Sequence, residues 1–428
     1  MVKTRRKKQA VAPTVRTTGK PVVRVLGTGV TLIEEVRRKA EEDLGIILEY
    51  EVLDGVAAQA KGVMQPDSYD VYDQWFHSVE LLWLSGAIQP IDVSRIDLWD
   101  EVNSVVKEGR LTSESRFGYG DNPANRLYVH PGHGLGSAPN DKISMLPGAH
   151  NVDSFGYNLE EIPAGIPYET ESWGWLLDDR WCGKVALVDD PAIGVIDAAL
   201  ATEAHGLMTF KNIGNMTLEE IDGLIDILLE KKKAGHFHAF WNSFAEADEL
   251  MARRDVALES MWSPSVMGLK GRGIPVRYAA PKQGYRAWQG GMCISSCTDG
   301  RTLDVVYDYL NWWMSGWAGA MMARQGYYFS VPERIREHLS DDEWGYWYMG
   351  KVATCDLPGP NGKIAVRAGE ARNGGSYWQR FANIGVWNSI MDEHNYLVRR
   401  WQELTMENSS PGFRKRQGGR RRRENGEG

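Results

Sequence analysis

Short apolar runs closed by glycine or polar residues alternate along this chain with longer stretches in which apolar positions recur every three or four residues. Val22-Val23-Arg24-Val25-Leu26 predicts a buried strand, Gly27-Thr28-Gly29 its turn, and Thr31-x-x-Glu34 a capping box opening a helix to about Asp43. Gly45 stops that helix, and Ile46 to Val52 is the next strand. A β-α-β start implies a parallel sheet whose first turn opens into a crevice. The alternation continues through a strand at Tyr69 to Tyr72, a helix at Val79 to Ser85, capped helices at Thr217-x-x-Glu220 and Ser243-x-x-Glu246, and strands at Asp255 to Glu259 and Val276 to Ala279. A helical tract at Leu303 to Met314 follows, with Trp312, Trp313 and Trp317 expected in the core. The pattern is that of an α/β protein.

One block carries more than periodicity. Cys182-Gly183 reads as a turn, Val185 to Val188 as a short strand, and Asp189-Asp190 as a carboxylate pair at its end; Pro191 then opens a helix to Leu200. Proline suits a first helical position, and Asp190 stands where an N-cap belongs. It also stands at the carboxyl end of a strand, where open α/β sheets keep their ligands. Capping and ligand contact both remain open at this point.

Trp175 to Asp190, W-x-x-x-x-R-W-x-G-K-V-A-L-x-D-D, resembles the second-domain segment of the polyamine-type periplasmic solute-binding proteins. Tyr69-Asp70-Val71, the turn Gly86-x-x-Gln89-Pro90-x-Asp92, Gly156-Tyr157-Asn158 and Gly326-Tyr327 to Pro332 resemble further elements of that family. The likeness covers roughly residues 22–340. It implies a two-lobed type II periplasmic binding protein fold, each lobe a mostly parallel sheet flanked by helices. The second crossing reads from Gly284 to Ser295, and the crossing segments near Asn151 to Asn158 and Gln289 to Ser295 would form the hinge. Residues 22–150 with 289–329 are expected in the first lobe, and 151–288 with 330–406 in the second.

Composition adds a constraint on charge. The chain has 49 basic and 57 acidic residues, yet residues 1–20 hold seven Lys or Arg and no acid, and residues 411–428 seven basic residues against two acids. The body between is strongly acidic, which steers cations toward it. Residues 1–21 and 407–428 read as basic disordered arms. No apolar run follows the basic start, so it does not read as a secretory signal as it stands, and a periplasmic location is implied by the resemblance alone. Four cysteines leave the redox compartment open, and Cys293-x-x-x-Cys297 is either a disulfide or two thiols on one turn. His130, His133 and His150 lack the acidic or thiol partners of a metal site. Neither a metal nor a cofactor is expected.

The resemblance places a ligand among Trp262, Trp288 and Tyr327, with Trp75, His77, Asp73 and Thr28 from the first lobe and Asp190 as anchor. Indole and phenol faces attract cations, at about 0.5–2 kcal/mol per contact. Carboxylates must neutralise a buried ammonium. Two acids of the spermidine-type pattern are replaced, by Ile193 and Gly290, and Gly-Thr-Gly stands where the first turn usually carries an aromatic. A long polyamine is therefore less favoured than a smaller organic cation. The implied activity is that of an extracytoplasmic receptor, monomeric, delivering a small cationic ligand to an ABC permease, with no specific nucleic acid as partner. Alternatives are the same fold binding a sugar or peptide, an intracellular protein whose basic tails bind nucleic acid, and an enzyme. The last lacks G-x-S-x-G, P-loop and H-E-x-x-H motifs.

Overall fold

The computed structural model describes residues 19–132 and 134–406. His133, the tail from 407 and all but residues 19–21 of the expected N-terminal arm lie outside the described residues. A sheet of 12 strands runs through the molecule, and its spine is a pair of long strands, Leu146–Asn158 and Tyr285–Ser295. These are the two expected crossings, and both are buried along their whole length. They pair antiparallel in the middle, with Arg286 opposite Asp153 and Trp288 opposite Asn151.

Each crossing strand then joins a different wing. Tyr285–Ser295 pairs with Val71–Trp75, which leads through Val22–Gly27 to Ile47–Val52, these three running parallel. Leu146–Asn158 pairs with Leu258–Met261, which leads through Val185–Val188 to Phe237–Trp241, again parallel. The result is the expected two-lobed α/β arrangement, with both crossings contributing to one continuous sheet.

Local chemistry explains where several helices start. Thr217 and Glu220 form a reciprocal capping box, and Ile221, Leu224, Ile225 and Leu228 are buried at helical spacing behind it. Each such side chain contributes about 1.5–3 kcal/mol on burial. Ser243 accepts from the Glu246 amide as expected. Thr31 does not cap. Its helix begins at Glu34 with no side-chain bond at Ile33, because Thr31 is turned inward and hydrogen-bonds the buried Asp73. The helix expected from Pro191 begins only at Gly194. Residues 191–193 form a turn whose entry is held by the Asp190 carboxylate, accepting from the Ala192 amide at 2.7 Å.

Packing divides the chain differently from the expected lobe boundary at 330. Tyr346, Trp347, Tyr348, Tyr377 and Phe381 belong to the core of the first lobe, drawn there by rings such as Tyr328, whose centroid lies 4.5 Å from that of Tyr377. Only the final stretch, with Leu397, Trp401 and Leu404, packs into the second lobe. The turn Gly86 to Asp92 anchors to the second crossing: Gln89 donates to the Ser295 and Thr298 carbonyls, each at 2.7 Å. Cys293 is buried, Cys297 is exposed, and both are free thiols.

Candidate functional site

Between the wings, at the carboxyl ends of the parallel strands, lies a cavity of 670 Å³. Thr28, Trp75, Asp190, Trp262, Trp288 and Tyr327 all line it. Trp75 comes from the end of Val71–Trp75 and packs against Gly55, where any Cβ would strike its ring. Trp262 ends the Leu258–Met261 strand and is held edge-on by Trp241 and Phe244, with centroids 4.9 and 4.8 Å away. Trp288 meets Tyr327 edge-to-face at 5.3 Å. Aromatic pairs held this way are rigid walls, and their exposed faces are negative.

Asp73 and His77 do not reach the cavity. Asp73 sits one pleat deeper than Trp75 on the same strand, enclosed beside the Gly27 turn, and burial raises its pKa to about 7. His77 is buried behind Trp75, stacked on it at 5.5 Å, and desolvation with nearby cations lowers its pKa to about 3. Contrary to the expectation that both meet the ligand, the segment places Trp75 in the cavity wall and Asp73 and His77 in the structure supporting it.

Asp189 and Asp190 follow the end of the Val185–Val188 strand and both line the cavity, each with one oxygen already accepting a hydrogen bond. Asp189 accepts from the Trp401 indole at 2.9 Å, tying the final helix to the cavity edge. Asp190 keeps its carboxylate at the cavity, and burial raises its pKa.

The floor holds two charged residues that the motif reading passed over. Asp153 accepts from Asn151 and from the Tyr278 hydroxyl, each at 3.0 Å, and burial raises its pKa to about 6. Arg286 donates through Nε to Asp197 at 2.6 Å and through Nη1 to Asn388 at 3.0 Å, while Asp153 lies 3.8 Å from Nη1. Its Nη2 is buried without a partner. Asp153 and Arg286 share the face of the crossing strands that carries Trp288. Two charges inside fully buried strands were the available signal. Asp54 completes the set from the first lobe, where it caps a helix by accepting from the Ala57 amide at 2.9 Å. The cavity thus presents four carboxylates, Asp54, Asp153, Asp189 and Asp190, against one guanidinium that Asp197 already neutralises.

The comparisons now bear on this geometry. The family model described as "Bacterial extracellular solute-binding protein" matches residues 53–344. The chain belongs to that family. Among solved structures, a putative spermidine/putrescine ABC transporter from Listeria monocytogenes is similar, with TM-score 0.61 and 15% identity over 90% of this chain and 99% of that one. The Atu4243-GABA receptor aligns with TM-score 0.56 and 16% identity, covering 92% of this chain and 99% of the other. MotA from A. tumefaciens B6, in complex with glucopine, aligns with TM-score 0.53 and 14% identity, covering 90% and 100%. At these identities the likeness establishes the two-lobed fold. No curated protein matches in sequence.

Proposed function

We propose that the chain is the extracytoplasmic receptor of an ABC importer and that it captures a small organic cation in the aromatic cavity between its lobes. Its delivery partner is a membrane permease, and the compartment is periplasmic or its equivalent outside the membrane. One observation carries the reading: four carboxylates and five aromatic rings line one cavity whose single guanidinium is already paired. An ammonium entering there gains both ring faces and counter-charge, so it is not left as an unpaired buried ion. Asp54, Asp153 and Asp189 supply acid that Ile193 and Gly290 do not. Relatives of the fold described as spermidine/putrescine transporters accord with an amine guest.

Arg286 favours a second reading, in which the amine also carries a carboxylate. Its unpartnered Nη2 lies under the cavity floor, and structural relatives include a GABA receptor and a glucopine complex. Calorimetric titration with putrescine, γ-aminobutyrate, choline and maltotriose separates these. Saturable heat from putrescine or choline supports the simple cation, and γ-aminobutyrate alone supports the zwitterion. Binding of maltotriose with no amine binding at all contradicts the proposal.

A further inference from the structure

A second cavity, of 770 Å³, is built on the opposite side of the crossing strands. Alternation along Tyr285–Ser295 sends Arg286 and Trp288 to the cleft and Tyr285 the other way. There the Tyr285 hydroxyl meets Tyr168 at 3.2 Å and Arg380 at 3.5 Å, and both partners line this second cavity. One wall comes from the second lobe, with Lys270 on the Ser263–Gly271 helix and Arg277 on the Val276–Tyr278 strand. The other comes from the segment that packs into the first lobe, with Glu370, Arg372 and Arg380.

The charge here is the reverse of that in the cleft. Lys270 and Glu370 pair at 2.7 Å and cancel. Arg277, Arg372 and Arg380 make no ion pair among the described residues. Arg277 donates to the Gly165 carbonyl, and Arg372 to the Trp347 and Gly326 carbonyls while lying 4.8 Å over the Tyr328 ring. Arg380 donates to the Asn373 and Val152 carbonyls, is 1% exposed, and leaves its Nε buried without a partner. The nearby Glu171 is saturated by Tyr157, Ala280 and Asn373. Carbonyls and ring faces hold these guanidiniums in place but do not neutralise them, and a buried charge left uncompensated costs several kcal/mol. A cavity of this volume is of small-molecule size.

We propose that this cavity binds a small anion bearing carboxylate or phosphoryl oxygens, held by Arg277, Arg372 and Arg380. Guanidinium donors arranged around one space suit such oxygens, which accept several charge-assisted hydrogen bonds at once. The walls belong to both lobes, so a bound anion ties them together independently of what fills the cleft.

The test is calorimetric titration of the full chain with citrate, with inorganic phosphate and with glucose, at ionic strength matched by sodium chloride. Citrate or phosphate should bind saturably with Kd of about 1 mM or tighter, and glucose should give no heat. Citrate alone assigns the site to carboxylates, phosphate alone to phosphoryl anions. Arg277→Gln, at a half-buried position, and Arg372→Gln should each weaken binding at least ~tenfold, about 1.4 kcal/mol. Asp190→Asn should leave it unchanged. Absence of saturable binding by either anion overturns the proposal, as does unaltered affinity in Arg277→Gln.

Discussion

The two sides of the crossing strands carry opposite chemistry on one backbone. On the cleft side, Asp153, Asp189 and Asp190 stand beside Trp262, Trp288 and Tyr327, and the one guanidinium, Arg286, is neutralised by Asp197. On the other, Arg277, Arg372 and Arg380 are held by carbonyls and ring faces without a carboxylate partner. The sheet lies between the two sets, with Asp153 on a crossing strand, Arg277 on the strand Val276–Tyr278 beside it, and Asp189, Asp190, Arg372 and Arg380 brought in by the segments that flank the sheet. The lesson is that net charge, acidic over the body of the chain, does not describe either cavity. Local sign is set by which side of the sheet each segment brings its charged residues to.

The largest break in this contrast is Arg286→Met. Removing the guanidinium leaves Asp197 and Asp153 buried without their counter-charge, and the expected loss is about 3–5 kcal/mol of unfolding free energy in urea. Trp288→Ala comes next. Its ring is nearly covered by Tyr327 and the first-lobe core, so truncation should cost about 3–5 kcal/mol as well as abolish amine binding. Trp262 is half-buried at the cavity edge, so Trp262→Ala should weaken amine binding at least ~tenfold with a clearly smaller loss in melting temperature than Trp288→Ala. Equal stability losses in the two variants would erase the distinction between wall and core.

A smaller effect is expected from pH. Asp153 titrates at about 6 and Asp190 above the ordinary aspartate range, both raised by burial. A cation binds the ionised forms, so its affinity should rise by about tenfold as Asp153 ionises between pH 5 and 7.5, then level off, with ionisation of Asp190 acting in the same direction. The stability of the empty protein moves the other way for these groups. Their folded pKa lies above the unfolded value, so folding takes up protons; the contribution of Asp153 declines as pH rises from about 4 through 6, and that of Asp190 changes in the same direction. Titration and thermal melts across this range check both signs. An affinity flat in pH would remove Asp153 and Asp190 from the ligand's surroundings.

Much of the architecture was legible because strands and helices announce themselves by period and cap. Gly183 to Asp190 and the Gly86 to Asp92 turn sit in strand-end positions that the chain pattern dictates, and six of the eight residues expected around a ligand share one cavity. Asp73 and His77 were misplaced because adjacency to Trp75 in sequence says nothing about which pleat or turn buries a side chain. Asp153 and Arg286 lie outside the quoted motifs, the first mid-strand and the second one residue into its strand, and they meet only through pairing register. The aromatic segment around Tyr346 to Tyr348 was assigned to the second lobe because chain order alone cannot show that Tyr328 and Tyr377 draw it to the first.

The central claim, that the cleft is built for a positively charged guest, is tested most directly by titrating putrescine, choline and γ-aminobutyrate into the intact protein and into Asp190→Asn at pH 7.5. The account predicts saturable binding by at least one amine and an affinity at least ~tenfold lower in the variant, whose fold is unchanged. Equal affinity in the two proteins, or binding confined to an uncharged sugar, would contradict it.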